Sequence, residues 1–193
     1  MEQISITSRD DSFLQVVSKS GSATFKFAAD KLNYKKSRLD KLVKAGYLVE
    51  NNDPTKGGKR GKQIVNRYSY SLGPKGVEYC QMKRYIQAHG GHNGHDHADL
   101  TCNFVYKLLT EDSIDIKNIK NEKELELIYS KEIAIAKRKK IKFSVCDLAV
   151  IENGVTKIYE IETANYRKEH RVKHSNFALK IANIDKRHYK IVK

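Results

Sequence analysis

Asp147, Glu160 and Glu162 have the residue types and the spacing of a metal site. Asp147 lies in one run of mostly apolar residues, and the two glutamates end the next such run. Asn153-Gly154 separates the runs and favours a two-residue type I′ hairpin turn. The resulting register places Asp147 opposite Glu160, and the alternation of side chains along a strand puts Glu162 on the same face.

These carboxylates predict a bound cation. Like charges that face one another destabilise a sheet, so a divalent ion that prefers oxygen ligands, Mg²⁺ or Mn²⁺, is the expected partner. The competing interpretation makes Glu160 and Glu162 a solvated strand face, because charged side chains usually lie at the surface.

The chain as a whole is strongly basic. Its 193 residues carry a formal net charge of +14 at pH 7, and 39% of them are hydrophobic. The hydrophobic residues are spread along the chain, which predicts a folded protein rather than a disordered one. The excess of lysine and arginine favours polyanionic partners, with nucleic acid as the first candidate and an anionic membrane surface as the second.

Two features bear on the compartment. No run of about 18 apolar residues is present, which excludes a membrane span, and the first residues lack the basic and apolar regions of a secretory signal. The three cysteines, Cys80, Cys102 and Cys146, are widely spaced and predict buried thiols in a reducing compartment. We therefore expect a cytoplasmic protein with no membrane partner.

The N-terminal third predicts three helices. Thr7 or Ser8 can cap the first helix, and a second follows Thr24. The third, over residues 35–46, has apolar residues at i, i+3 and i+4 on one face. Its opposite face is basic, as a helix that reads DNA requires, and carries Lys35, Lys36, Arg38, Lys41 and Lys44.

A basic hairpin is expected after these helices. Two strand-like runs cover 47–50 and 63–72, and in the loop between them Lys59, Arg60 and Lys62 are expected to lie along DNA phosphates. This order over residues 1–88 resembles winged helix-turn-helix DNA-binding domains, which implies double-stranded DNA as the partner. The alternative is a winged helix that mediates only protein contacts.

Residues 89–98 are rich in glycine and histidine and mark a boundary between the halves. Three interpretations stay open: a solvated linker, a zinc site that adds Cys80 and Cys102, and a specific role for His95 or His97 at the mouth of the next domain.

The C-terminal half, residues 99–193, predicts a mixed α/β (α+β) core in the order αβββαβ. The expected elements are a helix over 99–110, a strand over 125–136 that carries Glu132, the carboxylate hairpin, a basic helix over 166–182 and a strand over 189–192. The acidic residues then lie on the second and third strands.

This order resembles the PD-(D/E)xK nuclease-like superfamily, with Cys146-Asp147 at its Pro-Asp position and Glu160-Ile161-Glu162 at its E-x-K position. With the winged helix in front, the chain resembles the replication-relaxation family of mobile-element proteins. The resemblance implies Asp147 and Glu160 as metal ligands, with Glu162 and Glu132 as further ligands or as a general base.

One position departs from the superfamily, because Glu162 stands where the catalytic lysine is expected. The resemblance leaves a lysine of the following helix, Lys173 or alternatively Lys168 or Lys180, to supply the missing charge. These lysines can equally form an outer face that touches the DNA backbone. A relaxase-like reaction would instead use a tyrosine such as Tyr166 and leave a covalent DNA end.

We therefore expect a DNA-binding protein of a plasmid, phage or integrative element that acts in replication, transfer or relaxation. Metal-dependent phosphodiester cleavage, as in an endonuclease or nickase, is the candidate activity. Two alternatives stay open. One is a transcriptional regulator whose inactive nuclease-like domain serves for homodimer formation or ligand sensing, and the other is a phage-encoded inhibitor of a host protein.

Overall fold

The computed structural model describes residues 4–52, 55–57, 63–65, 67–89, 94–164 and 166–193, with the backbone alone for 55–57 and 63–65. Helices and strands are mixed along the chain, which confirms the α+β class.

The first three helices begin and end close to where the sequence predicts. They are α1 (Ser8–Ser20), α2 (Phe25–Leu32) and α3 (Lys36–Lys44). Thr7 caps α1 in a capping box with Asp10, and the Thr24 side chain caps α2 by accepting from the Phe27 N–H. These caps satisfy backbone N–H groups that have no partner within a helix.

Five short strands and a fourth helix complete this part of the chain: β1 (Ser22–Thr24), β2 (Leu48–Asn52), β3 (Thr55–Gly57), β4 (Gln63–Val65), β5 (Tyr68–Leu72) and α4 (Pro74–Met82). Strands β1, β5 and β2 form an antiparallel sheet in that order, and β3 pairs with β4 as a separate antiparallel ribbon. Strand β3 lies within the segment predicted as a basic loop, and the strand-like run over 63–72 contains β4 and β5.

The C-terminal elements are α5 (His95–Thr110), β6 (Ile119–Asn121), α6 (Glu122–Ile128), α7 (Ser130–Arg138), β7 (Leu148–Glu152), β8 (Val155–Ile161), α8 (Lys168–Asn176) and β9 (Tyr189–Val192). The strands form one sheet in the order β6-β7-β8-β9. Strand β9 is parallel to β8, and the other neighbours are antiparallel.

The strand predicted over residues 125–136 is wrong, because this segment forms α6 and α7. Asn121 and Glu124 make a capping box that starts α6, and the buried Leu125, Ile133 and Ala136 follow a helical spacing. The first strand of the sheet is the short β6 just before it. Glu132, predicted as a strand carboxylate, is instead exposed on α7.

The carboxylate hairpin is confirmed. Glu152 pairs with Val155, and the register continues to Leu148 opposite Tyr159. Asn153 and Gly154 have φ values of 49° and 75°, the positive angles that a type I′ turn requires at both central positions. Asp147 comes directly before β7, so its predicted position opposite Glu160 follows from the same register.

Both faces of the C-terminal sheet are covered. Leu148 and Val150 belong to a hydrophobic core that also contains Phe13 of α1 and Val105 of α5. On the other face, Ala149 and Ile158 pack with residues of α6, α7 and the segment after α8. Helix α5 begins at His95, inside the predicted 89–98 linker, and connects the two halves through a shared core.

An ion pair without solvent exposure joins the two halves. Lys19 Nζ of α1 donates to Glu124 Oε2 of α6 at 2.8 Å, and both side chains are at most 1% exposed. The Glu124 carboxylate also accepts the backbone N–H groups of Gln87 and Asn121 at 2.9 and 3.0 Å. Because all these contacts meet at one carboxylate, Glu124 fixes α6 against both α1 and the segment after α4.

A second buried carboxylate fixes α3 to the start of α1. Asp10 is 1% exposed and accepts hydrogen bonds from the Arg38 guanidinium, the Tyr34 hydroxyl and the Thr7 hydroxyl and N–H. Burial raises the pKa of Asp10, but these hydrogen bonds together outweigh burial and lower the pKa to about 2.

This lowered pKa predicts a loss of stability in acid. A folded-state pKa below the unfolded value stabilises the protein above about pH 4, and the contribution disappears as the pH falls towards 2. We expect Asp10 to contribute about 2 kcal/mol in this way. Urea unfolding between pH 2 and 6 checks it: the wild-type free energy of unfolding should fall more steeply than that of Asp10→Asn. Parallel curves for the two proteins would contradict the prediction.

Candidate functional site

The open end of the hairpin brings Asp147 beside a histidine of α5. Asp147 Oδ2 accepts the backbone N–H of Ile161 at 2.7 Å, which holds the carboxylate against β8. The other oxygen, Oδ1, lies 3.1 Å from His97 Nε2. His97 thus reaches the carboxylates from the first turn of α5, one of the roles that the sequence leaves open for the histidine-rich junction.

Glu160 is the deepest member of the site and is 1% exposed. Its Oε1 accepts a hydrogen bond from the hydroxyl of Tyr166. Its Oε2 lies 3.0 Å from Nδ1 of His174 on α8. Within the described part of the chain, neither Oε2 nor this Nδ1 has a partner aligned for a hydrogen bond. The two atoms therefore form a carboxylate–imidazole contact that does not have the geometry of a hydrogen bond.

The other predicted site residues are placed differently. Glu162 is buried, and its carboxylate accepts from Nε and Nη2 of Arg171, both at 2.6 Å. Lys173 is half-buried and lines a groove of about 900 Å³ together with Glu122 and Ser144. The residue of α8 that reaches Glu160 is His174, the neighbour of Lys173.

Burial and neighbouring charges shift the pKa values of the ionisable groups in the site. Burial raises the pKa of Glu160 and outweighs the contact with His174, which lowers it, and the charge of Asp147 raises it further. Burial lowers the pKa values of His97 and His174, but the carboxylates beside them outweigh it and raise both. Burial and the contact with Glu160 raise the pKa of the Tyr166 hydroxyl. Perturbed groups of this kind are typical of functional sites.

The donor atoms do not fit a hard cation such as Mg²⁺ in this arrangement. Mg²⁺ requires a nearly octahedral set of oxygens. Three of the four carboxylate oxygens of Asp147 and Glu160 are next to Ile161, His97 and Tyr166. The fourth, Glu160 Oε2, faces an imidazole and a thiol. Of the four predicted carboxylates, Asp147 and Glu160 face each other, whereas Glu132 is exposed on α7 and Glu162 is engaged by Arg171.

The predicted DNA-binding residues of α3 fall into two groups. Lys35 and Lys41 are exposed, as is Lys44. Lys36 is instead paired with Asp40, at 2.6 Å, and with Glu50, and Arg38 is paired with the buried Asp10. Lys59, Arg60 and Lys62 of the predicted wing lie outside the described residues.

His174 is the site residue that the sequence pattern alone does not single out. A signal for it exists, since Tyr166, His170 and His174 follow one another at intervals of four residues, a spacing that predicts one helix face. Helix α8 begins at Lys168, so Tyr166 lies just before it. The Tyr166 ring lies 5.5 and 6.1 Å from the two histidine rings, measured between centroids. The lysines of this segment are its most obvious sequence feature, and they draw attention away from the spacing of its tyrosine and histidines.

Comparison with protein-family models found no match to this chain. Comparisons with curated proteins and with solved structures found no match either. Within the described residues, every helix is too short or too polar to cross a bilayer.

Proposed function

We propose that this protein binds double-stranded DNA through its N-terminal winged helix and acts on a DNA phosphodiester at the Asp147–Glu160 site. Its setting is the replication, transfer or relaxation of a mobile element. The observation that carries the reaction is the contact between the Tyr166 hydroxyl and the buried Glu160 carboxylate, beside two carboxylate–imidazole pairs.

The docking part rests on α3 and on the charge of the chain. Strand β1 follows α1, helices α2 and α3 come next, and strands β2 to β5 follow them, an order that supports a winged helix. The Asp10–Arg38 pair fixes α3, and its exposed lysines are then available to phosphates. The net charge of +14 supports attraction to a polyanion.

Replacing Lys35, Lys41 and Lys44 together with alanine tests the docking surface. We expect duplex affinity to fall at least tenfold at about 100 mM salt, because each lysine that neutralises a phosphate releases counterions. The slope of log affinity against log salt should flatten by about 1 for each phosphate that is no longer neutralised. Fluorescence anisotropy with a labelled duplex, measured across salt concentrations, reads both quantities.

The matched control replaces three exposed lysines away from α3, Lys131, Lys139 and Lys157, and so changes the net charge equally. It should keep most of the affinity and the slope. If both triple variants lose the same affinity for the duplex, overall charge explains the loss and α3 is not part of the DNA interface.

The reaction would begin with attack by the Tyr166 oxygen on phosphorus. Glu160 is placed to accept the phenolic proton, and burial raises its pKa above that of an ordinary glutamate, which makes it a stronger base. As the new P–O bond forms, the P–O bond to the leaving deoxyribose oxygen breaks. The imidazolium of His97, held by Asp147, would donate the proton that this oxygen needs.

The surroundings of Tyr166 suit a phosphate group. A cavity of about 560 Å³ is lined by Tyr166, Lys168 and Arg171, so two cationic residues share its wall with the tyrosine. Supercoiled plasmid incubated with the intact protein, in the presence of Mg²⁺, Mn²⁺ or Zn²⁺ or of a chelator, tests the activity. Conversion to the open-circular form supports the proposal, and unchanged supercoiled DNA under all these conditions opposes it.

A second candidate function is a transcriptional regulator whose nuclease-like domain is inactive. The Arg171–Glu162 pair favours it, because a carboxylate engaged by arginine occupies the position of the catalytic lysine in the superfamily. Duplex binding that depends on the α3 lysines, without nicking under any of the conditions above, would select this function.

A further inference from the structure

The structure assigns a Zn²⁺ site to Cys146, Glu160 and His174. Zn²⁺ is intermediate between the hard cations, which prefer oxygen ligands, and the soft metals, which prefer sulfur. This site differs from the predicted oxygen site for Mg²⁺ or Mn²⁺ in its residues and in the class of metal. It does not depend on DNA cleavage, since it follows from the donor atoms alone.

The three ligand atoms already lie close together. Cys146 Sγ, a carboxylate oxygen of Glu160 and a ring nitrogen of His174 are all within 4.8 Å of one another. Tetrahedral zinc with its usual bond lengths to sulfur, nitrogen and oxygen places such atoms about 3.3–3.6 Å apart. Small side-chain movements are therefore enough to complete the geometry.

Two donor atoms of the cluster have no aligned hydrogen bond within the described residues. Glu160 Oε2 and His174 Nδ1 are buried and have no aligned hydrogen bond within the described part of the chain. The Glu160 side chain is 2% exposed and that of His174 is 13% exposed. Buried polar atoms are normally hydrogen-bonded, and a bound ion is one of the accepted reasons for an exception.

The elements around the cluster hold its members in place. Cys146 precedes β7 and is fully buried, and its thiol donates to the His174 carbonyl oxygen at 3.4 Å. Glu160 lies on β8 and is held through Oε1 by Tyr166, which leaves Oε2 available. The open end of the β7–β8 hairpin and the facing helix α8 thus supply the ligands. Three protein ligands leave a fourth position for water or a substrate oxygen.

The chemistry of the set selects the metal class. Thiolate and imidazole favour zinc and related metals, whereas Mg²⁺ and Ca²⁺ favour oxygen ligands alone. Binding requires loss of the Cys146 proton, because a coordinating thiol is deprotonated.

Cobalt substitution tests the site in the intact protein. Metal is first removed with a chelator. One Co²⁺ ion per chain should then bind to Cys146 and give a thiolate-to-cobalt charge-transfer band in the near ultraviolet. Added Zn²⁺ should displace the cobalt and remove the band. Cys146→Ser should abolish the band, whereas Cys102→Ser, at another buried cysteine, should retain it.

His174→Ala gives a second variant if Cys146→Ser does not fold, and it should weaken Co²⁺ affinity at least tenfold. Absence of the band in the wild-type protein, or a band that survives Cys146→Ser, overturns the inference. Asp147→Asn separates the two proposals, since it leaves all three ligands intact. It should keep the cobalt band even where it abolishes DNA nicking.

Discussion

Glu124→Ala is expected to lower the free energy of unfolding by about 3–5 kcal/mol, the usual cost of breaking a buried ion pair. The change leaves the Lys19 ammonium buried without a counter-charge and removes the acceptor of the Gln87 and Asn121 N–H groups. Burial already lowers the pKa of Lys19 to about 8 despite the attraction of Glu124. Without that carboxylate, Lys19 should lose its proton, or the cost of its buried, unpaired charge should unfold the protein.

Urea unfolding at pH 7 measures the effect, and Glu126→Ala on the same helix is the control. Glu126 is half-buried, with 40% of its side chain exposed, and pairs with Lys123 at 2.9 Å, so its loss should cost no more than about 1 kcal/mol. Lys19→Met added to Glu124→Ala should recover part of the lost stability, because it removes the stranded charge. Equal, small effects of both single alanine variants would show that the buried pair does not hold the halves together.

Local signals predict most of the secondary structure. Thr7 and Thr24 are residue types that cap helices, and Asn153-Gly154 fixes a turn whose geometry few other dipeptides adopt. The hairpin register follows from that turn by counting. These features depend on neighbouring residues, which is why the chain reveals them without knowledge of its tertiary contacts.

The strand predicted over 125–136 is wrong because its apolar residues fit both the two-residue repeat of a strand and the 3.6-residue repeat of a helix. Leu125, Ile133 and Ala136 are buried in a helical arrangement, and the Asn121–Glu124 capping box is the signal that decides between the two. The pairing of Glu124 with Lys19, 105 residues away, could not be predicted, because nothing local distinguishes this lysine from the exposed ones.

The same limit applies to the candidate site. Asp147 and Glu160 are predicted from strand alternation, which is a local rule. The partners that complete the site, His97 and His174, come from helices packed at the end of the sheet. On α3, helical periodicity places Arg38 with the exposed lysines, but the buried Asp10 of another helix binds it.

Tyr166→Phe is expected to abolish a covalent link between the protein and DNA, with at least a roughly 10³-fold fall in its rate of formation. The substitution keeps the aromatic ring and removes only the oxygen that would attack phosphorus. Glu160→Gln should reduce the rate by about 10²–10⁴-fold, because an amide cannot accept the phenolic proton. Labelled DNA that stays with the protein on a denaturing gel reads the link directly.

Tyr129→Phe supplies the matched control, since Tyr129 packs edge-on against Phe177 with 5.7 Å between ring centroids. It should form the adduct at nearly the wild-type rate. Nicking without any adduct in the wild-type protein would assign the attack to water and limit Tyr166 to orienting Glu160. An adduct that persists in Tyr166→Phe would assign it to another nucleophile. Because Glu160 touches Tyr166 through one oxygen and faces His174 through the other, its substitution should affect both the adduct and the cobalt band, whereas Tyr166→Phe should affect only the adduct.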